Sequence, residues 1–295
     1  MTGDVLTALG ASPDGPGGEG DVRAVTDHEV AFYLQNGWVY LPGLISPELA
    51  GAMLERGKAR LGAFVEAGER GHQQLGGDQM TMAKAESEGT LANIHQWCEW
   101  RGAVRSAHDP VFSRTALSQT MGRNVQRLLE RDRPLRVYHD IFVCKLPENA
   151  STRTDWHQDA TNFALDRNVL TVWIALDEIT PDQGPVQFYS GSHRCGLLAA
   201  IPPGSPFDIV DEYPELARFP VSPPRNMRPG DATVHHGLVV HGASSNNTPR
   251  PRYSYIASYF PADARYTGAP NFDTDGFGFK RGDTLDHPSF TPVPT

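Results

Sequence analysis

The stretch GDATVHHGLVVHGASSNNTPRPRYSYIASYF (residues 230–260) decides the fold class. It contains two runs rich in β-branched and aromatic residues, 231–243 and 252–260, on either side of the turn-forming segment SSNNTPRP. Short apolar runs bounded by Ser, Asn and Pro are typical of β-strands. Because only turn residues separate them, the two runs predict antiparallel strands rather than the helix-linked strands of a parallel sheet.

The same pattern extends upstream to Arg136. Three further runs of this kind are RVYHDIFVCKL (136–146), VLTVWIALDEI (169–179) and PVQFYSGSH (185–193). No segment of useful length with helical periodicity lies between them. The sequence therefore predicts a mainly β protein with an antiparallel sandwich or barrel of the jelly-roll type over about residues 136–262.

Helix-start signals precede the strands. Thr26 and Glu29 have the spacing of a capping box, which predicts a helix to about Gln35. A strand is expected over WVYLPGL (38–44). Two more helices are predicted, one starting at Ser46-Pro47-Glu48 and one running from Asp109-Pro110 to about Met121. Together these elements form a helical N-terminal layer over about residues 26–132.

The ends of the chain are predicted to differ from its core. Residues 1–22 end in a Gly/Pro-rich run that is expected to be a flexible tail, and residues 23–295 are expected to form one domain. Within that domain, 263–295 is a C-terminal extension. The polar stretch 71–90 has no clear period, and long loops of this kind are usually either disordered or functional.

Composition excludes several classes of partner. The chain has 26 Lys and Arg against 35 Asp and Glu, a net charge of −9. That balance argues against a nucleic-acid or anionic-membrane partner. The three widely spaced cysteines indicate neither a disulfide framework nor a Cys-rich zinc site. A cytoplasmic protein that is a monomer or a homodimer is expected.

The segment Trp156-His157-Gln158-Asp159 carries the strongest chemical signal. On a strand, residues two apart face the same side, so His157 and Asp159 would present an imidazole and a carboxylate to one point. The run HHGLVVH (235–241) offers three histidines as a third ligand. Two histidines and one carboxylate suit a non-heme Fe(II) oxygenase, and they also suit catalytic zinc.

Arg252 follows His241 by eleven residues. If the chain turns at SSNNTPRP, the arginine lies on the neighbouring strand. A guanidinium there would clamp a carboxylate with two hydrogen bonds. This favours a dicarboxylic co-substrate that chelates iron through its other end.

The chain resembles the phytanoyl-CoA dioxygenase family of Fe(II)/2-oxoglutarate-dependent oxygenases. The stretches that carry the resemblance are KLPENASTRTDWHQD (145–159), LTVWIALDEITPDQGPVQFYSGSHRCG (170–196) and GDATVHHGLVVHGASSNNTPRPR (230–252). It implies a double-stranded β-helix, with His157, Asp159 and His241 as iron ligands. It also implies that O₂ is a co-substrate and that no side chain outside the metal centre is catalytic.

The resemblance also implies a co-substrate pocket. Arg252 maps onto the arginine that binds the distal carboxylate of 2-oxoglutarate, and Trp173 onto an aromatic residue lining the same pocket. Where the family usually has a hydroxyl directly after the His-Gly of the last ligand, this chain has Ala243. A hydroxyl contact to 2-oxoglutarate is therefore expected from Ser244 or from elsewhere in the chain, or is absent.

The predicted substrate is a small organic molecule, in a hydroxylation that belongs to specialised-metabolite biosynthesis. Epimerisation, desaturation and ring closure are alternatives with the same cofactors. A non-catalytic jelly-roll binding protein and a zinc hydrolase are alternatives of other classes. The four lysines form no cluster for the phosphates of a CoA thioester. The predicted substrate contacts are His95, Trp97, Trp100 and Tyr138.

Overall fold

A computed structural model describes residues 20–66, 97–145, 153–199 and 208–295. The predicted tail up to residue 19, the polar stretch 71–90 and His95 lie outside these ranges. Val22, the last residue of the predicted tail, is buried and forms a β-bridge with Ile45.

A seven-stranded sheet forms the larger part of the fold, and all of its pairings are antiparallel. Its strands are β1 (Trp38–Leu41), β2 (Trp97–Arg101), β3 (Leu135–Lys145), β5 (Leu170–Ala175), β7 (Ala232–His236), β9 (Arg252–Pro261) and β10 (Pro292–Val293). The spatial order is β1-β7-β5-β9-β3-β10, and β2 also pairs with β3.

A second, three-stranded antiparallel sheet lies across a cavity from the first. Its order is β4 (Thr154–His157), β8 (His241–Ala243) and β6 (Val186–Phe188). Side chains of both sheets line that cavity. The predicted mainly antiparallel β architecture is confirmed.

The predicted pairing of the strands that carry His241 and Arg252 is wrong. Strand β8 belongs to the small sheet, whereas β9 lies in the large sheet between β3 and β5. The turn-rich segment between them crosses from one sheet to the other instead of closing a hairpin. Asn246 holds this crossing, because its buried side-chain amide donates to the carbonyl of Arg250 at 2.7 Å and to that of Lys145 on β3 at 3.3 Å.

The first two helices start as their sequences predict. Helix α1 (Asp27–Asn36) has the full capping box: Glu29 N–H donates to Thr26 Oγ1 at 3.2 Å, and Thr26 N–H donates to Glu29 Oε2 at 2.7 Å. Helix α2 (Pro47–Glu66) begins at Ser46, whose hydroxyl accepts from Leu49 N–H at 3.1 Å. These side chains satisfy backbone donors that the first helical turn leaves free.

The third predicted helix is two helices in the structure. Helix α3 (Pro110–Ala116) ends early, and Ser118 caps a new helix, α4 (Gln119–Leu128), by accepting from Met121 N–H at 3.1 Å. Apolar residues keep their helical spacing across Leu117 and Ser118, so the sequence pattern does not show that the helix is interrupted there. A short helix, α5 (Ile209–Glu212), follows β6. Within the described ranges, no helix has the length and apolar character needed to cross a membrane.

The hydrophobic core lies between the helices and one face of the large sheet. Buried side chains of α2, α3, β3 and β9 meet there, among them Met53, Phe112, Phe142 and Tyr255. Phe112 lies at the centre of this packing, with its ring centroid 5.0 Å from that of Tyr255. The helices thus cover one face of the sheet, and the other face is left to the cavity.

Two glycines of α2 allow a matched test of this packing. A Cβ at Gly57 would overlap the buried ring of Phe142, whereas a Cβ at Gly51 meets no atom within 4 Å. Alanine is favoured over glycine in a helix by about 1 kcal/mol, and overpacking a core costs about 1–3 kcal/mol. We expect Gly57→Ala to lower the free energy of unfolding by up to about 2 kcal/mol, and Gly51→Ala to raise it by up to about 1 kcal/mol. Urea denaturation measures both, and equal stabilisation by the two changes would contradict this packing.

Candidate metal centre

Three side chains converge at the edge of the small sheet. His157 ends β4, His241 begins β8, and Asp159 follows His157 by two residues; their ligand atoms all lie within 4.8 Å of one another. Asp159 Oδ1 is 3.4 Å from His157 Nε2 and 3.5 Å from His241 Nε2. The structure therefore brings together the three residues predicted as metal ligands.

Asp159 does not lie on the same strand as His157, contrary to the prediction from strand alternation. Strand β4 ends at His157, and Asp159 opens a 3-10 turn, Asp159–Asn162. The buried side chain of Gln158 anchors the turn, donating to the carbonyl of Leu238 at 2.7 Å and accepting from Leu198 N–H at 2.7 Å. A buried glutamine, rather than the pleat of a strand, thus aims the carboxylate.

Backbone carbonyls orient both imidazoles. His157 Nδ1 lies 2.8 Å from the carbonyl oxygen of Asp155, and His241 Nδ1 lies 3.1 Å from that of Val239. A carbonyl oxygen can only accept, so each Nδ1 carries the proton of its hydrogen bond. Each Nε2 is thereby turned toward the carboxylate, which is the orientation in which histidine binds metals.

The second carboxylate oxygen of Asp159 is already occupied. It accepts from Thr171 Oγ1 at 2.8 Å and lies 3.0 Å from His235 Nε2. Sequence reasoning passed over His235 as a packed or exposed strand residue, but it is buried and orients Asp159. The signal that could have found it is the alternation along β7, which sends His235 and His236 to opposite faces.

The protonation states follow from burial and from the neighbouring charges. Burial raises the pKa of Asp159, but the imidazoles of His241, His157 and His235 around the carboxylate hold it well below its usual value. Burial, with His235 and His157 nearby, lowers the pKa of His241 well below its usual value. For His157, the effect of burial is outweighed by Asp159, which raises its pKa. A divalent cation at this point would compete with protons for the imidazole nitrogens.

This donor set fits a first-row divalent metal. One carboxylate oxygen and two imidazole nitrogens face a common point beside the cavity. Such a facial arrangement leaves further coordination positions open for other ligands. The hydrogen bonds behind all three donors preorganise the arrangement.

Arg252 and Trp173 lie in the same cavity, which has a volume of about 610 Å³. The Arg252 guanidinium carbon is 5.1 Å from the centroid of the Trp173 ring, and Arg252 Nη1 donates to the carbonyl of Gly184 at 2.5 Å. Among the described residues, its buried Nε has no hydrogen-bond partner and its guanidinium forms no ion pair. Burial lowers the pKa of Arg252 to about 10. A buried cation of this kind fits an anionic ligand.

Lys145 lies beside Arg252 on the neighbouring strand β3, with the two residues directly paired. It is fully buried, and its Nζ donates to the carbonyl of Ser244 at 2.6 Å. Burial and the charge of Arg252 lower its pKa to about 6. By contrast, Ser244 itself is exposed, and its side chain is not among the described residues that line the cavity.

Two of the predicted substrate contacts lie away from the cavity wall. Trp100 is buried in the hydrophobic core, 5.3 Å from the ring of Phe112, because its strand turns it toward the helices. Tyr138 is buried in a second aromatic cluster, and its hydroxyl donates to Asn271 at 2.9 Å. The backbone of Trp97 pairs with Lys145, and the side chain of Trp97 lies outside the described part of the structure.

Sequence reasoning missed other residues on the wall. Glu99 and Arg101 of β2 line the cavity, and Arg101 Nε donates to Glu99 Oε1 at 2.7 Å. Glu99 and Arg101 flank Trp100 on the strand and therefore face the side opposite to it, and this alternation could have predicted that they line the cavity. His139 and the C-terminal segment 270–273 complete this side. No local pattern points to that segment, because it reaches the cavity only through the fold.

Comparison with known families identifies this arrangement. The model of the phytanoyl-CoA dioxygenase (PhyH) family matches residues 33–254. The chain belongs to the phytanoyl-CoA dioxygenase family. This confirms the resemblance seen in the sequence, and it makes the protein an Fe(II)/2-oxoglutarate-dependent enzyme.

Curated relatives extend over most of the chain. The phytanoyl-CoA dioxygenase domain-containing protein 1 of Danio rerio is 24% identical over 266 residues, covering 78% of this chain and 88% of the relative. The phytanoyl-CoA dioxygenase 1 of Oryza sativa subsp. japonica is 26% identical, covering 78% and 87%. A methylphosphonate hydroxylase of Gimesia maris is 33% identical over a shorter stretch, 35% of this chain and 37% of that protein.

Solved structures with similar folds include a carbocyclase and an epimerase. The non-heme alpha-ketoglutarate-dependent carbocyclase SnoK from nogalamycin biosynthesis has a TM-score of 0.67 and 26% identity, covering 91% of this chain and 96% of its own. The epimerase SnoN, in complex with Fe³⁺, alpha-ketoglutarate and nogalamycin RO, has a TM-score of 0.67 and 24% identity, covering 90% and 97%. The second likeness is one of fold alone.

Proposed function

We propose that this member of the phytanoyl-CoA dioxygenase family binds Fe(II) through His157, Asp159 and His241 and the distal carboxylate of 2-oxoglutarate through Arg252. The observation that carries the proposal is the buried Arg252, whose Nε has no hydrogen-bond partner among the described residues and which shares a cavity with three convergent metal-ligand atoms. Trp173 forms the floor under the guanidinium. We infer that the two sheets form the double-stranded β-helix implied by the resemblance.

Each of these side chains has a definite task in the reaction. When bound, iron and 2-oxoglutarate supply the activation of O₂ and the removal of hydrogen from a substrate carbon. His157, Asp159 and His241 hold the metal on one side and leave its other positions to the cavity. Arg252 orients the co-substrate, and the apolar walls formed by Val143, Ile256 and their neighbours exclude water.

The substrate proposed is a small organic molecule, and the reaction proposed is its hydroxylation in specialised-metabolite biosynthesis. A cavity of about 610 Å³ is of the size that holds one small molecule. Relatives and structural neighbours include a methylphosphonate hydroxylase, a carbocyclase and an epimerase. Ring closure and epimerisation, together with desaturation, are therefore the alternative outcomes at the same metal centre. A zinc hydrolase would leave the buried Arg252 without a function.

Anaerobic titration of the Fe(II)-loaded protein with 2-oxoglutarate tests the proposal. Chelation of iron by the 2-oxo acid should produce a weak metal-to-ligand charge-transfer band in the visible region. Succinate, which has no 2-oxo group, is the matched control and should produce no band. A protein that demonstrably holds Fe(II) but gives no band with 2-oxoglutarate would contradict the proposal.

Lys145 predicts a pH dependence of co-substrate binding. Its pKa is lowered to about 6 by burial and by Arg252, so above pH 6 it is largely neutral. A carboxylate bound at Arg252 would offset the charge of Arg252 and raise the pKa of Lys145, so binding takes up a proton. The affinity for 2-oxoglutarate should therefore increase as the pH falls from 8.5 to 6.5, by at most about tenfold per pH unit.

Calorimetry on the Fe(II)-saturated protein under argon measures this dependence. Lys145→Met keeps the length of the side chain and removes the titrating amine, so it should flatten the profile. Parallel profiles for the two proteins would show that Lys145 does not take up the proton.

A further inference from the structure

A row of polar side chains crosses the inner face of the large sheet, starting at the metal centre. Thr171 on β5 is paired with Ser258 on β9, and Ser258 is paired in turn with His139 on β3. A β-bulge between Val137 and His139 shifts the register of β3 at this point. Three adjacent strands thus place three polar groups side by side.

These groups form a continuous chain of contacts. Thr171 Oγ1 donates to Asp159 Oδ2 at 2.8 Å, and Thr171 Oγ1 lies 3.0 Å from Ser258 Oγ. Ser258 Oγ lies 3.1 Å from His139 Nε2, and His139 Nδ1 lies 3.3 Å from Asp273 Oδ2. The chain therefore connects the carboxylate of Asp159 to that of Asp273 through four contacts.

The charge of His139 follows from counting protons along this chain. The carboxylate of Asp159 can only accept, so the single hydroxyl proton of Thr171 is used there. Ser258 must then donate to Thr171, and His139 Nε2–H must donate to Ser258. At its other nitrogen, His139 faces the Asp273 carboxylate, which again can only accept. All four contacts are hydrogen bonds only when both nitrogens of His139 carry protons.

The surroundings of Asp273 suit a charged partner. Arg105 binds the other oxygen of Asp273 and also donates to its backbone carbonyl at 2.9 Å. Burial raises the pKa of Asp273, but His139 and Arg105 together hold it well below its usual value. Asp273 is therefore a carboxylate, and it belongs to the C-terminal segment 270–273 that lines the cavity.

We propose that His139 is a positioning residue, held as an imidazolium by Asp273, that fixes the Asp159 carboxylate through Ser258 and Thr171. The inference rests on the proposed function, since it takes Asp159 as an iron ligand. Thr171 and His235 occupy Oδ2, so the chain keeps Oδ1 directed at the metal. The C-terminal segment thereby forms a wall of the cavity and also anchors the orientation of a metal ligand.

The same residues do not form a hydrolytic triad. Asp273, His139 and Ser258 follow one another as acid, base and hydroxyl would in a serine hydrolase. Ser258, however, is completely buried and is not among the residues that line the cavity. Its hydroxyl has neighbours on both sides and no access to a substrate, so its function is to transmit orientation.

Nitrogen NMR of the histidine side chains tests the charge of His139 directly. A histidine with an ordinary pKa of about 6.5 is mostly neutral at pH 7.5. In the metal-free protein at this pH, long-range proton–nitrogen correlation should show both nitrogens of His139 in the protonated range. The signal is assigned by its loss in His139→Gln. In Asp273→Asn, Nδ1 should move to the unprotonated range while Nε2 stays protonated. A neutral His139 in the unaltered protein would overturn the proposal.

Metal affinity tests the positioning role. Removing a partner that orients a metal ligand typically weakens metal binding about 10–100-fold. We expect Ser258→Ala to weaken Co(II) binding, measured by calorimetry, by about tenfold. Ser254→Ala is the matched control, because Ser254 is equally buried on the same strand and has no hydrogen-bond partner among the described residues. It should change the affinity by less than about twofold.

The outcomes separate this inference from the proposed function. Equal Co(II) affinities for the two serine variants would overturn the positioning role. If the unaltered protein bound neither Co(II) nor Fe(II), the proposed function would fail. In that case the nitrogen signals of the metal-free protein would still show whether His139 is charged.

Discussion

Asp159→Ala is expected to lower the affinity of the protein for Fe(II) by more than about a hundredfold and to abolish turnover. Changes to the partners behind a metal ligand already cost about 10–100-fold, so loss of a ligand should exceed that range. The structure adds a second reason, because the Asp159 carboxylate faces both His157 and His241, whose ring centroids are only 4.3 Å apart. Without it, the two imidazoles face each other with no negative charge to balance a cation. Anaerobic calorimetry with Fe(II) measures the loss.

Asp155→Ala provides the control for a change in net charge. Asp155 is an exposed carboxylate two residues before His157, and only its backbone carbonyl contacts that histidine. Its removal should leave Fe(II) affinity within about twofold. Thermal melts of both variants verify that each is folded. Retention of full affinity in folded Asp159→Ala would move the metal site elsewhere.

Arg252→Ala is expected to weaken 2-oxoglutarate binding by about 2–5 kcal/mol, or about thirtyfold or more, while Fe(II) binding is retained. Truncating one partner of a buried, hydrogen-bonded charge pair costs this much because the other charge is left buried and unpaired. Arg252 is the buried guanidinium of the cavity, with its side chain fixed over Trp173. Titration of the charge-transfer band in the Fe(II)-loaded variant measures the change in affinity.

Arg250→Ala is the matched control for this experiment. Arg250 lies two residues earlier in the chain and is exposed. Its removal changes the net charge equally but should leave the affinity for 2-oxoglutarate unchanged. An equal loss in both variants would indicate a long-range charge effect instead of a direct contact at Arg252.

Local patterns predicted much of the fold. Capping boxes and first-turn prolines located the starts of α1 and α2, because these signals act within a few residues of chain. Alternating apolar runs predicted the strands for the same reason. The break at Ser118 was missed, since apolar periodicity runs through it and only the cap separates α3 from α4.

The candidate site divides in the same way. His157 and Asp159 are close in sequence, so their spacing alone grouped them. The resemblance then singled out His241 from three candidates. Trp100 was predicted to contact the substrate, but it does not line the cavity. Alternation along a strand shows which residues share a face, but not which face packs against the helices. Here the helices cover the face that carries Trp100, and Trp100 lies in the core next to Phe112.

By itself, the sequence determined the antiparallel β class, the helix starts and the set of metal-ligand candidates, all of which depend on residues near one another in the chain. The tertiary structure alone decided how the sheets face each other, which brings Arg252 from the large sheet into the cavity beside ligands of the small one. It also decided the contacts of Asp159 with Thr171 and His235 and the link from His139 to Asp273. These contacts join residues up to 134 positions apart. Their geometry follows from packing between sheets, which no local pattern encodes.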